Sequence, residues 1–325
     1  PVVRAGTVFF VVTSVLCAIA SDMQLMWAMR GLQGLAAASG PVVARAIVRD
    51  RYEGNRAAQV MSALSAAMAV IPMVAPSIGV LILKFFDWPA VFLALAVFAL
   101  LILIALTRLP ESAPASGSER LTVGGILRAF ATMLSRRAFL GYQMAGSFSF
   151  AALFCYLSTV AYFLPDVFNI PTSLFGYAFA LTVLGFMTGS LINARVVMHY
   201  GLDTTLRAGL LISLCSAISI ASLAPWASQY LYTMACLSAL FFLGVGLTAA
   251  NASMGAISLF RMQAGAASAV YGFTHALLAS LIGAMAGALY RGRLLEPALV
   301  ILGCSIIAIL GQRLTRHDHT EPLSQ

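Results

Sequence analysis

The chain has 325 residues, of which 61% are hydrophobic and only 9% are charged, and its formal net charge is +8 at pH 7. Soluble domains carry about 25% charged residues, so this composition excludes an ordinary soluble domain and indicates a membrane protein. The arginines lie between apolar runs and do not gather on one polar face, which excludes a nucleic-acid-binding surface.

Apolar runs long enough to cross a bilayer, about 17 to 25 residues each, recur along the whole chain. Four predicted spans precede a long polar stretch: Val2–Ser21, Met23–Val48, Ala57–Leu83 and Trp88–Leu106. Six follow it: Ala138–Leu164, Ser173–His199, Thr205–Leu223, Gln229–Asn251, Ala264–Tyr290 and Pro297–Leu314. We therefore expect an all-α integral membrane protein with ten transmembrane helices, four in a bundle at residues 1–107 and six in a bundle at residues 138–314.

The polar stretch at residues 107–137 is rich in Pro, Gly, Ser and Arg, which is typical of a flexible linker. Fifteen of the nineteen Lys and Arg residues fall in alternate loops, which the positive-inside rule places in the cytoplasm. We predict a cytoplasmic linker at residues 108–137, a cytoplasmic tail at residues 315–325, and both termini of the chain on the cytoplasmic side of the inner (plasma) membrane.

A weak internal repeat relates the two halves, since residues 34–38 resemble residues 246–250. Parallel repeats about an axis along the membrane normal are typical of transporters whose substrate site lies near midplane between the halves. The repeat therefore predicts two pseudo-symmetric bundles.

Arg30 lies about 10 Å into its predicted span, at 1.5 Å per residue, so it is not a simple end charge. Gly34 and Pro41 follow at helical spacing and Gln33 lies beside them, which makes one small and polar stripe that faces protein or water. Either Arg30 lines a substrate or proton pathway, or it reaches toward the membrane surface or bonds a neighbouring carbonyl.

The third predicted span carries Pro72, Pro76 and Gly79 on one face. Each proline removes a backbone donor and bends the helix, and a neighbouring helix can pack closely on the glycine side. One proline is explained by an ordinary kink, but this set favours a shaped packing seam.

His275 is the only deep side chain whose charge can change near neutral pH, because every Asp and Glu lies in a loop, at a span end or in the tail. It is either a proton site or a neutral imidazole bonded across helices.

Tyr156 belongs to a set of rings that either stack on a lipophilic compound or form an interfacial belt. Asn251, at a predicted span end, either lines the pathway or bonds between helices. Gly283 and Gly287 form a GxxxG pattern that predicts close packing within the molecule.

Several motifs resemble one group of transporters. Arg30-Gly31-Leu32-Gln33-Gly34 is similar to the RxxQG pattern of major facilitator exporters, and residues 72–79 are similar to their antiporter signature. Gly40–Asp50 and Arg108–Ser112 resemble the bicyclomycin-resistance (Bcr/CflA) type of drug:proton antiporters, and the resemblance extends over essentially the whole chain. Ala75 and Val80 stand where the signature GPxxGG has glycines.

This resemblance implies a major facilitator fold with ten of the usual twelve helices, beginning just after the loop between family helices two and three. It implies efflux of small amphipathic or lipophilic compounds in exchange for protons, with a membrane-embedded carboxylate in the upstream helices. The alternatives are a proton-linked importer or facilitator of a small metabolite, or an inactive truncated fragment.

We expect no cofactor and no metal site. The five cysteines lie in apolar runs without ligand spacing, and we expect them to be buried packing residues. No clustered nucleophiles or metal ligands suggest an enzyme. The expected partners are a drug-like small molecule, protons and the lipid bilayer, with no nucleic acid, and we expect a monomer.

Overall fold

The computed structural model describes residues 2–51, 81–107, 123–171, 175–260 and 263–315, together with the single positions 56, 60, 75, 78 and 79. In these parts the chain is helical, with short turns between the helices. The helices are α1 (Val2–Ala18), α2 (Met23–Arg51), α3 (Pro89–Thr107), α4 (Val123–Ser135), α5 (Arg137–Phe168), α6 (Phe175–Tyr200), α7 (Leu202–Leu223), α8 (Leu231–Ser258), α9 (Ala264–Leu289) and α10 (Leu295–Leu314). A 3-10 helix, Ala224–Gln229, joins α7 to α8.

Seven helical segments in the described part are long and apolar enough to cross a membrane. They are Pro89–Thr107, Arg137–Phe168, Ala180–Tyr200, Leu202–Gln229, Leu231–Ser258, Ala266–Leu289 and Leu295–Leu314. Each coincides with a predicted span, and a shorter apolar helix, Val3–Ala18, coincides with the first. The second predicted span is helix α2, and the third, residues 57–83, lies almost wholly outside the described residues.

The chain divides into two compact units, residues 1–119 and residues 120–325, here called unit 1 and unit 2. The division falls inside the stretch that the composition predicted to be a linker. Each unit has its own helix packing.

In unit 1, α1 packs against both α2 and α3. The small residues Ala96 and Ala99 are the buried positions of α3, which lets the two backbones approach. Arg4, near the start of α1, donates from Nη2 to the carbonyl oxygen of Leu106, near the end of α3, at 3.0 Å, so these helices run antiparallel. Most large side chains of α3 stay exposed, as expected for a helix whose solvent is lipid.

In unit 2, helix α5 is central and packs against α8, α9 and α10, while α8 also packs against α6 and α7. The core consists of aromatic, aliphatic and many small side chains from these helices, among them Phe163, Phe241 and Val245. The helices therefore enclose their own core within the unit.

Helix α4 differs from the sequence-based expectation. Residues 107–137 were predicted to be a flexible linker, but residues 123–135 form a helix, so the expectation does not hold there. The reason is a local apolar stripe at helical spacing that includes Phe130 and Met133. Met133 is fully buried, and the Phe130 ring meets the Phe273 ring edge to face at 5.6 Å between centroids. Residues 108–122 lie outside the described part.

Several helices extend beyond the predicted spans because polar residues can continue a helix past the hydrocarbon layer. Helix α8 ends at Ser258, not at residue 251. Asn251 consequently lies almost two turns inside the helix and not at its end, which corrects the prediction.

Candidate functional site

Unit 1 contains a chain of polar side chains between α2 and α1. Arg30 donates from Nη1 to the Oε1 atom of Gln33 at 2.6 Å, and Gln33 donates from Nε2 to the Ser14 hydroxyl, also at 2.6 Å. Ser14 in turn donates to the carbonyl oxygen of Phe10 at 2.7 Å. The structure thus brings together two of the predicted pathway residues, Arg30 and Gln33.

The two ends of this polar chain lie in different environments. Gln33 is 2% exposed and Ser14 is fully buried, whereas Arg30 is exposed on unit 1. The Arg30 guanidinium lies 5.6 Å from the centroid of the Phe92 ring of α3, a cation–π arrangement. The buried amide therefore anchors an exposed guanidinium that has further donors for an anionic or carbonyl group.

The remaining predicted residues of unit 1 are not brought into contact. Gly34 is exposed, and no described side chain or neighbouring backbone would lie within 4 Å of a Cβ placed there or at Gly79. The side chain of Pro41, together with Pro72 and Pro76, lies outside the described residues. The packing seam predicted around them stays a prediction.

Tyr156 lies in the interior of unit 2. Its ring meets those of Phe163 and Phe242 edge to face, at centroid distances of 5.5 and 5.1 Å, and its hydroxyl is hydrogen-bonded to Ser238. Beside it is a small cavity of about 20 Å³, lined mainly by apolar side chains from α5, α7, α8 and α10. That volume is about the size of one water molecule, so a drug-sized compound does not fit there in this conformation.

Asn251 forms a bond between helices, which was one of its two predicted alternatives. Its Nδ2 atom donates to Oδ1 of Asn193 on α6 at 2.6 Å and to the carbonyl oxygen of Leu247 at 2.8 Å. Both asparagines are buried. Together they tie α6 to α8.

The α6–α8 contact also contains glycines that the sequence reasoning missed. A Cβ at Gly185 or Gly189 would overlap the carbonyl oxygen of Ala239 or Leu243, respectively, and a Cβ at Gly246 would overlap that of Phe186. The signal was available, because Gly185 and Gly189 form a GxxxG pattern. We call these three glycines with Asn193 and Asn251 the α6–α8 seam.

His275 lies in a stack of rings between α5 and α9. Its imidazole is 4.2 Å from the Phe150 ring centroid at an interplanar angle of 20°, and 5.4 Å from the Tyr271 ring centroid at 24°. Gln143 is buried on α5, about two turns before Phe150. It donates from Nε2 to the Ser147 hydroxyl at 2.6 Å and to the Tyr271 carbonyl oxygen at 3.3 Å. Sequence reasoning missed Gln143 and Tyr271.

The GxxxG pair on α9 behaves unequally. A Cβ at Gly283 would lie 2.9 Å from the Ser158 hydroxyl oxygen, so Gly283 packs closely against α5. Gly287 is exposed and has no such neighbour within 4 Å in the described part of the chain. Only the first glycine forms a tight contact within unit 2.

One end of unit 2 has a further polar link that the sequence did not indicate. The Tyr142 hydroxyl of α5 donates to Oδ1 of Asp203, in the first turn of α7, at 2.6 Å. A Cβ at Gly255 of α8 would lie 2.5 Å from the Tyr142 ring, so the ring fits where a side chain is missing. This contact joins three helices at the end predicted to be cytoplasmic.

The cysteines are only in part as expected. Cys17, Cys155 and Cys304 are buried, but Cys215 and Cys236 are exposed, which corrects the expectation that all five are buried. In a membrane an apolar stretch can face lipid, so apolar neighbours in sequence do not imply burial. Among the described residues, no group of three His, Cys, Asp or Glu side chains could hold a metal ion.

Comparison with known proteins gives a consistent result. Residues 1–288 match the family described as Major Facilitator Superfamily. A Haemophilus influenzae protein named "Bicyclomycin resistance protein homolog" is 26% identical over 313 residues, covering 95% of this chain and 78% of that protein. The Escherichia coli O157:H7 "Multidrug resistance protein MdtL" is 27% identical over 333 residues, covering 98% and 81%.

A Bacillus subtilis protein, "Uncharacterized MFS-type transporter YdgK", is 28% identical over 284 residues, covering 86% of this chain and 70% of that protein. Among solved structures, a bacterial homolog to the human lysosomal transporter Spinster, in an inward-facing and occupied conformation, matches with a TM-score of 0.65. It is 14% identical and covers 97% of this chain and 81% of that chain, a likeness that shows the fold alone.

Proposed function

Since the chain belongs to the major facilitator superfamily, and is therefore a membrane transporter and not an enzyme, we propose that it exports small amphipathic or lipophilic compounds in exchange for protons. The two helical units would alternate access to a site by rocking, as parallel-repeat transporters do. Drug-like molecules and protons are its proposed partners, and the inner membrane is its proposed location.

The observation that carries this proposal is the similarity, over 95% to 98% of the chain, to relatives named for bicyclomycin and multidrug resistance. The same relatives support the resemblance to the bicyclomycin-resistance type of drug transporter that the motifs indicated.

The polar chain of unit 1 supports a role for Arg30 and Gln33 in the transport pathway. A charge within a membrane helix is costly and is retained where it pairs, binds or relays protons. Arg30 is held by a buried amide, yet its side chain is exposed on unit 1. We assign it to binding the substrate or to stabilising a nearby carboxylate in its charged form.

Export can be tested in bacterial cells that lack their own drug exporters. The chain, expressed in such cells, should raise the minimum inhibitory concentration of some members of a panel of lipophilic and amphipathic drugs. Cells loaded with a fluorescent member of the panel should lose it, and a protonophore that collapses the proton gradient should stop the loss. Efflux that continues at the same rate with the protonophore would contradict proton coupling.

The importer hypothesis makes the opposite prediction about direction. An importer would raise the accumulation of its compound in expressing cells, and drug susceptibility would stay the same or increase. Measuring both accumulation and susceptibility in the same cells therefore separates the two functions.

A further inference from the structure

The contact between α5 and α9 contains three buried polar atoms without hydrogen-bond partners in the described part of the chain: Oε1 of Gln143, the Tyr271 hydroxyl oxygen and Nδ1 of His275. Gln143 is 3% exposed and Tyr271 is 6% exposed. Leaving a buried polar group unpaired costs about 1–3 kcal/mol, so folded proteins satisfy nearly all such groups with protein or water partners. These atoms therefore indicate a site for a small polar ligand.

The residues that carry these three atoms lie where α5 and α9 pack against each other. Gln143, Ser147 and Phe150 recur on α5 at spacings of four and three, and Tyr271 and His275 lie four apart on α9, so each set faces the other helix. The bonds from Gln143 Nε2 to Ser147 and to the Tyr271 backbone fix the amide, which leaves its Oε1 as the unused acceptor.

Gly146 provides the space for the Tyr271 hydroxyl. A Cβ at this position would overlap the Tyr271 hydroxyl oxygen, so any larger residue would displace that group. Gly146 is three residues from Gln143, and the hydroxyl consequently lies over the same turn of α5 that carries the amide. Donor and acceptor are thus both held on one face of the helix contact.

The geometry restricts the size of the ligand. The rings of Phe150, His275 and Tyr271 are stacked on each other at 4.2 and 5.4 Å, so no drug-sized molecule can enter between them. Water is small enough, and it both donates and accepts, which matches an unpaired amide oxygen and an unpaired phenol hydroxyl. His275 is half-buried and its ring is stacked on that of the more deeply buried Tyr271.

We propose that this contact holds one or more water molecules that deliver a proton to His275, which makes it a proton-binding site in unit 2. A hydronium ion transfers its proton to the Nδ1 lone pair of the neutral ring, and imidazolium and water result; release reverses the step. The inference deepens the proposed proton exchange and rests on it.

The described side chains around this contact are uncharged. Helix α5 presents Gln143, Ser147 and Phe150, helix α4 brings Phe130 against Phe273, and helix α8 places Ala252 beside Gly146. The titratable neighbour is Tyr271. No charged side chain of the described residues acts on the imidazole.

The test uses the purified chain in liposomes with a compound that the resistance assay selects. His275→Gln should reduce accumulation driven by a pH gradient by about tenfold or more, because a positioned proton acceptor is lost. Counterflow, the exchange of labelled for unlabelled compound without a gradient, should stay near the wild-type rate. His199→Gln is the matched control, since His199 is exposed and its described hydrogen bond is to the Arg195 carbonyl oxygen of its own helix.

Two outcomes would overturn the inference: normal pH-driven accumulation by His275→Gln, or loss of both transport modes in a folded variant. Accumulation by the wild-type chain that a sodium gradient drives equally at constant pH would contradict the proposed proton exchange. If the wild-type chain shows no pH-driven transport of any compound, the proposed function fails instead.

A second measurement does not require replacing His275. When His199, His317 and His319 are changed to Gln, His275 is the one histidine of the four that remains, and nitrogen NMR can follow its ring in lipid nanodiscs. The ring should take up one proton as the pH is lowered, with a midpoint that Tyr271→Phe changes. A ring that stays neutral throughout would overturn the inference.

Discussion

Gln33 uses both ends of its amide, accepting from Arg30 on its own helix and donating to Ser14 on the neighbouring one. Because the amide is 2% exposed, its bonds are protected from water, and an alternative orientation would leave a buried group unpaired. The guanidinium is thus held in one place although it lies at the surface of unit 1. This local order suits a residue that binds a ligand.

Arg30→Ala is expected to abolish drug resistance and leave the amount of protein in the membrane unchanged, because the exposed guanidinium contributes little to the core of unit 1. Arg30→Lys keeps the charge but loses the planar donors, so it should retain only part of the resistance. Inhibitory concentrations and a membrane immunoblot measure the two effects. Arg137→Ala is the control, since Arg137 is an exposed arginine at the start of α5, and cells that express it should keep full resistance. Full resistance of cells that express Arg30→Ala would show that Arg30 is not part of the transport pathway.

The Asn193–Asn251 bond should contribute to the stability of unit 2. Asn251→Ala or Asn193→Ala should each lower the free energy of unfolding by about 1 kcal/mol, since each leaves a buried amide without its partner. The double variant should cost less than the sum of the two. Thermal unfolding in detergent measures this double-mutant cycle, with Ser253→Ala as a control because Ser253 is half-buried and its hydroxyl bonds the Ala250 carbonyl oxygen of its own helix. Additive effects would mean that the two amides are not coupled.

At the level of elements, the α6–α8 seam is where the described glycines approach a neighbouring helix backbone most closely. Lipid gives helices no hydrophobic reason to associate, so close backbone packing and interhelical hydrogen bonds must supply the attraction. Gly185, Gly189 and Gly246 allow the first, and the two asparagines supply the second. The seam therefore holds α6 against the rest of unit 2.

Gly189→Ala is expected to destabilise unit 2 by about 1–3 kcal/mol, because the added methyl group overlaps the carbonyl oxygen of Leu243 and the helices must move apart. The matched control is Gly303→Ala in α10, where no described neighbour lies within 4 Å of the new methyl group and no loss is expected. The fraction of protein that remains monodisperse in detergent after heating compares the two. Equal behaviour of both variants would show that the seam tolerates a wider separation.

At the level of the whole molecule, the two units show that each bundle can form its own core, while the exposed surfaces of helices such as α3 remain apolar. A large apolar surface is unfavourable in water and favourable in lipid. Membership in the superfamily and seven apolar helical segments in the described residues together make this a multi-pass membrane protein. The distribution of Lys and Arg among the loops predicts on which side of the membrane the loops and termini lie.

The predicted orientation can be tested by cysteine labelling after the five native cysteines are replaced. An impermeant maleimide should label Arg291→Cys in intact cells, because the loop before α10 is predicted to be outside. Ser135→Cys, at the exposed end of α4, should be labelled only after the membrane is permeabilised. The reverse pattern would invert the predicted topology.

Composition and periodicity alone determined the lipid environment, the helical class and the position of nine of the ten predicted spans, because a membrane helix must be apolar along its length. They also identified Arg30 and Gln33 as one polar stripe, since residues three apart on a helix share a face. The motifs indicated the family. All of these are properties of the local chain.

Only the tertiary structure decided which residues meet across helices. It joined Gln33 to Ser14, placed Asn251 against Asn193, and showed that Gly283 packs while Gly287 does not. It also formed α4 within the expected linker and assembled Gln143, Tyr271 and His275 from helices more than 100 residues apart. In a membrane almost every surface of a helix is apolar, so hydrophobicity does not distinguish a face that meets lipid from one that meets another helix, and close contacts alone make that distinction.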